Sequence, residues 1–187
     1  MSAAARLRRL DEEAEIVVLE RTGYVSFANC GLPYYLGREI PKFEDLVLQT
    51  PEALAARFRL DVRVAHEVRG IDPAEKLVTG VNLQSDEPFE LSYDDLILSV
   101  GAQPIKPPIP GLDLEGVFTL RNLEDTSAIE RWIQEKSPKK AAVVGGGYIG
   151  LEMAEQLHRR GMDVHLIDAA PQTLPPFDAE MAGLVHR

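Results

Sequence analysis

The sequence predicts an α/β protein in which short, buried, parallel strands alternate with helices. Apolar runs rich in β-branched side chains recur at residues 15–20, 96–100 and 140–144. Runs of this kind are typical of parallel strands that are covered on both faces. The last run leads directly into a glycine-rich turn and then into a helical pattern, over residues 145–161. This order of strand, turn and helix indicates a βαβ unit.

The first elements of the chain have clear local signals. Residues 3–10 are rich in Ala, Leu and Arg, which predicts a helix, and residues 15–20 predict a parallel strand. Thr50 supplies an N-cap, Pro51 occupies the first helical position and an acid follows it. We therefore expect a second helix from there to about residue 57.

The middle of the chain predicts β structure. Residues 62–68 and 76–83 have the composition of β ribbons, and Asp72 with the proline after it turns the chain between them. Residues 96–100 predict another buried strand, which Gly101 ends.

A proline-rich stretch divides the chain. Residues 104–111 contain four prolines and a glycine, a density that supports neither a helix nor a central strand. We interpret it as a stiff connector between two domains, residues 1–109 and 110–187. Beyond it, residues 116–120 predict a strand, and residues 123–136 predict a helix capped by the preceding asparagine.

Composition and charge exclude several classes of protein. Of the 187 residues, 45% are hydrophobic and 27% are charged, which is ordinary for a soluble globular protein. No apolar run is long enough to cross a bilayer, and the N-terminus lacks the apolar core of a secretory signal. The net charge of −10 disfavours nucleic acid and anionic membranes as partners. A single cysteine makes no internal disulfide and no histidine pair has metal-ligand spacing, so we expect a reduced, cytoplasmic protein without a metal.

The turn at residues 145–150 has the pattern of a dinucleotide-binding site. It reads Gly-Gly-Gly-Tyr-Ile-Gly, which satisfies G-x-G-x-x-G, and Asp168 follows 18 residues after the last glycine. With a strand before it and a helix after it, this pattern is typical of pyrophosphate binding. We expect Gly145 to make the tight turn, Gly147 to let the backbone approach the phosphates, and Gly150 to let helix and strand pack closely.

The elements after this turn support the same interpretation. The helix has one apolar stripe, Gly161 is placed to end it, and residues 163–167 predict the next strand. Asp168 then stands at the tip of that strand, where its carboxylate can accept hydrogen bonds from a ribose diol. Its charge would repel a 2′-phosphate, which favours NADH over NADPH unless a nearby cation reverses the preference.

The only thiol, Cys30, has surroundings that favour reactivity. Ser26 and Asn29 are polar neighbours, Gly31 leaves the sulfur open, and a helix is predicted to begin at about Asn29. A helix N-terminus stabilises a thiolate. Because there is no second cysteine, a reactive Cys30 must pair with an external thiol or pass through a sulfenic acid. The alternative is a buried, unreactive cysteine.

Residues 26–35, Ser-Phe-Ala-Asn-Cys-Gly-Leu-Pro-Tyr-Tyr, closely resemble the active-site segment of the coenzyme A disulfide reductases. These are single-cysteine members of the flavin-dependent pyridine nucleotide–disulfide oxidoreductases, related to NADH oxidases, NADH peroxidases and polysulfide reductases. The resemblance covers the whole chain, including residues 8–11, 96–101, 119–125 and the glycines at 145–150. It implies Rossmann-like, three-layer domains that bind FAD (residues 1–109, with the redox cysteine) and NAD(P) (residues 110–187).

The resemblance also implies a mechanism and a set of site residues. NADH bound at the glycine turn would pass a hydride to the flavin, and the reduced flavin would reduce a mixed disulfide between Cys30 and coenzyme A. The residues implied for the substrate are Ser2, Arg6, Arg9, Ser26 and Asn29. The residues implied for the cofactors are Glu20 on the FAD ribose, Val68, Ser99, Gly101 and Arg121 on the flavin, and Gly145, Gly147, Tyr148, Ile149, Gly150, Glu152 and Asp168 for NAD and the flavin face beside it.

The chain departs from the family pattern in two respects. Phe58, between two arginines, stands where the family can carry a lysine on coenzyme A. The family's first G-x-G-x-x-G, which binds the FAD pyrophosphate, and its C-terminal dimerisation domain have no counterpart among these residues. We therefore expect an N- and C-terminally truncated piece of a longer, homodimeric reductase, with both nucleotide-binding domains incomplete, that alone binds FAD poorly and is inactive.

Other functions stay open. The substrate could be coenzyme A disulfide, another low-molecular-weight disulfide, a persulfide or a polysulfide. A related possibility is an NADH oxidase or peroxidase in which Cys30 cycles through a sulfenic acid. A third, from a different class, is a non-catalytic nucleotide-binding fragment with an unreactive Cys30.

Overall fold

The fold is that of a computed structural model, which describes residues 1–185 of the chain. Two compact units make it up: residues 1–27 with 47–102, and residues 28–46 with 103 onward. The cysteine segment 28–46 groups with the C-terminal residues, whereas the predicted boundary at residue 109 put it with the N-terminal ones. The division into FAD- and NAD(P)-binding domains stays a prediction. In the part of the chain described, no helix combines the length and apolar character needed to cross a bilayer.

A parallel strand pair and two helices form the first part of the N-terminal unit. Helix α1 is Ser2–Leu10, strand β1 is Val17–Leu19, helix α3 is Pro51–Phe58 and strand β4 is Asp61–Arg63. Strands β1 and β4 are parallel, and both predicted helices are confirmed. The Thr50 hydroxyl accepts a hydrogen bond from Ala53 N at 3.2 Å, so the predicted N-cap is formed. Ile16, Leu54 and Leu60 make the core between these elements.

Antiparallel strands complete the N-terminal unit. Strands β2 (Ser26–Phe27) and β3 (Val47–Gln49) pair with each other. Strands β5 (His66–Asp72), β6 (Leu77–Asn82) and β7 (Glu87–Ser92) form a three-stranded sheet in that order. The ribbon predicted over 62–68 is divided between β4 and β5, and β7 was not predicted.

Two predicted strands are wrong. Residues 96–100 and 116–120 have no regular secondary structure. The first segment was expected to be buried, but Ile97 and Leu98 are both 63% exposed and Val100 is 90% exposed. A parallel strand depends on neighbours that pair with it on both sides, and no described residue pairs with either segment. Residues 104–111 also lack a helix or strand, as their prolines predicted.

The second unit is built from helices around one parallel strand pair. The cysteine segment forms a short 3-10 helix, Asn29–Gly31, that continues into α2, Leu32–Leu36, and a second 3-10 helix spans Phe43–Leu46. The remaining elements are α4 Leu123–Lys136, β8 Lys140–Val144, α5 Tyr148–Arg159, β9 Asp163–Ile167 and α6 Ala179–Val185.

The predicted βαβ unit is confirmed with its boundaries. Strands β8 and β9 are parallel and in register from Lys140 with Asp163 to Val144 with Ile167. The buried core of the unit takes one residue from α2, two from α4, two from α5 and one from the turn after α5: Leu36, Ile129, Ile133, Met153, Leu157 and Met162. Helix α2, which follows Cys30, and the glycine-turn helix α5 therefore share one core.

Candidate active site

The glycine turn has the backbone geometry that its sequence predicts. It connects the end of β8 to the start of α5, and Gly145 N donates to Ile167 O at 2.8 Å. Gly145 has a φ of 111°, a conformation that favours glycine. A Cβ atom at Gly150 would overlap the carbonyl oxygen of Gly145. These two positions accept only glycine without rearrangement of the turn.

Open space lies beside the first turn of α5. A Cβ atom placed on Gly145 or Gly147 would meet no atom within 4 Å. Gly147 is the N-cap residue of α5 and provides no side-chain cap. A helix N-terminus with free N–H groups and room above it suits a phosphate group, so these residues fit the pyrophosphate of a dinucleotide.

Asp168 lies at this turn, one residue after β9. Its carboxylate accepts hydrogen bonds from Ala170 N at 2.6 Å and from Gly146 N. These backbone N–H groups, that of Ala170 foremost, lower the pKa of Asp168 below its ordinary value of 3.8. The side chain is therefore an exposed, ionised carboxylate at neutral pH, as a ribose-binding acid requires.

Glu20 has a similar local arrangement in the N-terminal unit. It follows β1 as Asp168 follows β9, and its Oε1 accepts from Thr22 N at 2.7 Å and from the Thr22 hydroxyl at 2.8 Å. In both cases the acid stands after a parallel strand and accepts the N–H group two residues further on. Both acids were predicted to bind a ribose from the tip of a strand, but the shared hydrogen bond was not predicted.

Cys30 is a free, exposed cysteine on the 3-10 helix that precedes α2. The next residue, Gly31, is buried, and a Cβ atom there would lie 2.8 Å from the Leu46 side chain. Asn29 is exposed, and its Oδ1 accepts a hydrogen bond from Arg121 Nη1 at 3.1 Å. The prediction that the sulfur is sterically open agrees with this geometry, and the buried alternative does not.

Tyr34 connects the cysteine segment to the glycine-turn helix. Its hydroxyl lies 3.5 Å from Glu152 Oε1, at the long end of the hydrogen-bond range. The Glu152 carboxylate is the main cause that raises the pKa of Tyr34 above 10.0, followed by burial, Glu155 and Glu39. The phenol is therefore protonated at neutral pH and can donate to Glu152.

The same face of α5 contacts the end of the cysteine segment. Gln156 is fully buried, and its Nε2 donates to Glu39 Oε1 at 3.1 Å. Arg159 forms an ion pair with the same glutamate. A Cβ atom at Gly37 would overlap the Gln156 side chain, and Gln156 Oε1 has no hydrogen-bond partner among residues 1–185. Helix α5 thus begins at the glycine turn and packs against the residues that follow Cys30.

Helix α1 carries the predicted coenzyme A side chains on its exposed surface. Ser2, Arg6 and Arg9 are exposed, whereas Arg8 is only 9% exposed. Arg8 Nε donates to Phe58 O at 2.9 Å, and its Nη atoms donate to the carbonyls of Asp11, Glu12 and Arg59. Arg8 therefore stabilises the fold, a role that sequence reasoning did not identify.

The remaining predicted residues lie in several different segments of the chain. Tyr148 is 61% exposed and Ile149 58% exposed, and the Tyr148 ring lies edge-on to that of Phe177, with centroids 6.2 Å apart. Ser99 and Gly101 are exposed and lie outside any helix or strand. Val68 is in β5 and Ser26 in β2. Sequence reasoning also missed Tyr34 and Gln156, whose roles depend on contacts more than 100 residues away.

Known proteins are similar to this chain over nearly its whole length. The family model for pyridine nucleotide-disulphide oxidoreductases matches residues 1–187. A coenzyme A disulfide reductase of Staphylococcus haemolyticus is 43% identical over 98% of this chain, and an NADH oxidase of Methanocaldococcus jannaschii is 39% identical over 100% of it. The crystal structure of reduced Bacillus anthracis CoADR-RHD superposes with a TM-score of 0.97 at 52% identity, over 99% of this chain.

The matches cover only part of those relatives. The chain spans 41% and 42% of the two curated relatives and 33% of the solved structure. The family model nevertheless extends over every residue. The parallel pairing of β8 and β9 and the similarity to the solved structure confirm the predicted Rossmann-type α/β class. The chain belongs to the pyridine nucleotide-disulphide oxidoreductase family.

Proposed function

We propose that this chain is part of an FAD-dependent NAD(P)H:disulfide oxidoreductase that reduces coenzyme A disulfide or a related persulfide or polysulfide. The observation that carries the proposal is the placement of one exposed thiol, Cys30, in the same compact unit as an open glycine turn at 145–150. In that proposal residues 1–109 contribute to FAD binding and residues 110–187 to NAD(P) binding.

The dinucleotide site is supported by the shape and charge of the turn. The space beside Gly145 and Gly147 suits the pyrophosphate, which would receive N–H groups from the start of α5. The ionised carboxylate of Asp168 suits the two ribose hydroxyls and disfavours a 2′-phosphate, so we expect NADH to bind better than NADPH. Tyr148, Ile149 and Glu152 would line the nicotinamide end.

FAD would be held by Glu20, Val68, Ser99, Gly101 and Arg121. Glu20 fits this role because one carboxylate oxygen accepts from Thr22 while none of the hydrogen bonds described for Glu20 involves the other. When bound, FAD supplies a flavin that accepts a hydride from NADH and returns two electrons to a disulfide.

Cys30 would carry out the sulfur chemistry. Its thiolate attacks one sulfur of coenzyme A disulfide, the S–S bond breaks, and one coenzyme A thiolate leaves. Two electrons that originate on NADH then reduce the mixed disulfide, which releases the second coenzyme A and restores the Cys30 thiolate. Overall, NADH, a proton and the disulfide give NAD⁺ and two thiols. Ser26 and Asn29 would line the path of the substrate sulfur.

Helix α1 would bind the coenzyme A phosphates. Ser2, Arg6 and Arg9 recur at spacings of four and three residues, which places them on one side of a helix. Both guanidinium groups are exposed, whereas the Arg8 guanidinium is committed to backbone carbonyls. A local positive surface on a chain with a net charge of −10 suits a phosphate-bearing substrate.

Adduct formation at the single thiol tests the proposal. Mass spectrometry after incubation with coenzyme A disulfide should show one coenzyme A on the chain and none on Cys30→Ser. The double variant Arg6→Met/Arg9→Met should react about tenfold more slowly with coenzyme A disulfide. The same variant should react at an unchanged rate with uncharged bis(2-hydroxyethyl) disulfide. Equal slowing with both disulfides would contradict the phosphate-binding role, and the absence of any adduct would contradict the proposal.

A second candidate is an NADH oxidase or peroxidase. The observation that favours it is the exposed position of Cys30, together with the similarity to an NADH oxidase. Hydrogen peroxide would then convert the Cys30 thiolate to a sulfenic acid and release hydroxide, which solvent protonates to water. Dimedone trapping measures how fast peroxide oxidises Cys30 to the sulfenic acid. If this oxidation is faster than the reaction of Cys30 with coenzyme A disulfide, the result favours this candidate over the disulfide reductase.

We further propose that the whole enzyme is a cytoplasmic homodimer. An unpaired, exposed thiol suits a compartment that keeps thiols reduced. The family resemblance supports the dimer. Sedimentation of the full-length protein at several concentrations tests the oligomeric state, and a monomer at all of them would contradict it.

A further inference from the structure

Arg121 holds the side chain of Asn29 in one orientation next to Cys30. Its Nη1 donates to Asn29 Oδ1 at 3.1 Å, across 92 residues of sequence. Because the amide oxygen faces this donor, the amide NH₂ group must point away from the guanidinium. No acceptor for that NH₂ group occurs among residues 1–185. Asn29 therefore presents a free hydrogen-bond donor on the exposed 3-10 helix that carries the thiol.

The start of helix α4 fixes the backbone of Arg121. Asn122 Oδ1 accepts from Asp125 N at 2.8 Å, and Asp125 Oδ2 accepts from Arg121 N at 2.8 Å. The hydroxyl of Thr126, which is fully buried, donates to Asn122 O at 2.8 Å. With its main chain held by this cap, Arg121 reaches Asn29 through its side chain alone.

We propose that Arg121 is a positioning residue for thiol–disulfide exchange at Cys30, acting through Asn29. The inference rests on the proposed function for the role of Cys30. In the exchange, a bond forms between Cys30 Sγ and one substrate sulfur, the substrate S–S bond breaks, and the electron pair leaves on the other sulfur. The Cys30 proton goes to solvent. The sulfur that leaves carries negative charge, and the free N–H donor of Asn29 is available to stabilise it.

A double-mutant cycle separates this role from a direct charge effect. The cycle comprises Arg121→Met, Asn29→Ala and the double variant, and the reaction is that of Cys30 with 4,4′-dithiodipyridine. This disulfide is uncharged, so guanidinium steering of the reagent does not contribute. Each single variant should slow the reaction about tenfold, and the double variant should also be about tenfold slow.

Two further variants control for structure and charge. Arg121→Lys, which keeps a cationic donor, should react within about threefold of the unchanged chain, since a remaining charged donor retains most of the interaction. Arg131→Met removes an exposed arginine from helix α4, which begins just after Arg121, and its rate should not change. Far-ultraviolet circular dichroism confirms that each variant is folded.

The outcomes distinguish this inference from the proposed function. If the effects of the two single variants multiply, the double variant should react about a hundredfold more slowly. That result would mean that Arg121 does not act through Asn29, and it would overturn this inference but not the proposed function. Unchanged rates in Arg121→Met would also overturn it alone. An unreactive Cys30 in the unchanged chain would overturn both the inference and the proposed function.

Discussion

Arg160 and Glu130 form an ion pair inside the second unit, with side chains that are only 8% and 10% exposed. Arg160 Nη1 also donates to Leu36 O at 2.9 Å, at the end of the helix that follows Cys30. The pair therefore connects α4, the end of α5 and the cysteine segment. Its burial makes it very different from the exposed pair between Arg159 and Glu155.

Removing one partner of this buried pair should strongly destabilise the chain. Arg160→Met leaves the Glu130 carboxylate buried without a counter-charge, and we expect the free energy of unfolding to fall by about 3–5 kcal/mol. The matched control Arg159→Met breaks only exposed pairs and should lose at most about 1 kcal/mol. Urea denaturation followed by circular dichroism measures both. Equal losses in the two variants would contradict the importance of burial here.

The glycine turn should reject even one methyl group at Gly150. A Cβ atom there overlaps Gly145 O, so Gly150→Ala should lower the free energy of unfolding by about 1–3 kcal/mol and abolish NADH binding. Gly183 lies in α6 with open space around it. Gly183→Ala should instead stabilise the chain by about 0.5–1 kcal/mol through helix propensity. Calorimetric titration with NADH and thermal unfolding are measured on both variants. Unchanged NADH affinity in Gly150→Ala would contradict the prediction.

Adjacent arginines on α1 should have opposite roles. Arg8→Met leaves the carbonyls of Asp11, Phe58 and Arg59 without their side-chain donor and should lower the free energy of unfolding by about 2–4 kcal/mol. Arg9→Met changes only an exposed side chain, so stability should stay within about 0.5 kcal/mol, while the reaction with coenzyme A disulfide slows. Chemical denaturation and the rate of adduct formation, measured on both variants, test these roles. A stable Arg8→Met or a destabilised Arg9→Met would contradict them.

Glu152 should control the ionisation of Tyr34. Because the Glu152 carboxylate is the main cause of its raised pKa, Tyr34 should titrate above pH 10.0 in the unchanged chain, and Glu152→Gln should bring the midpoint down towards that value. Tyr35 provides an internal control, since burial is the main cause that raises its pKa. Carbon NMR of tyrosines labelled at Cζ follows both phenols in one titration. A Tyr34 midpoint that does not move in Glu152→Gln would contradict the contact.

The elements that sequence analysis predicted well depend on local chemistry. Thr50 and Pro51 define the start of α3, and the asparagine before Leu123 defines the start of α4, because caps act within a few residues. The glycine turn was likewise predictable because a positive φ and a close backbone approach each restrict a single position.

The errors and omissions have non-local causes. Residues 96–100 have the composition of a buried strand, but strand formation needs partners that composition does not reveal. Strand β7 was missed although Phe89 and Leu91 alternate with polar residues, because a proline weakens the pattern. At the site, nothing near Arg8 or Arg160 in the sequence distinguishes them from the chain's exposed arginines, since Phe58, which accepts from Arg8, and Glu130, which pairs with Arg160, lie 50 and 30 residues away.

The close approach of Gly37 to Gln156 links two distant positions in the sequence. The space that a side chain at residue 37 would need is filled by the amide of Gln156. A relative with alanine or a larger residue at position 37 should therefore carry a shorter side chain at position 156. Paired substitution at these two positions would show, from sequence alone, that the end of α2 packs against α5.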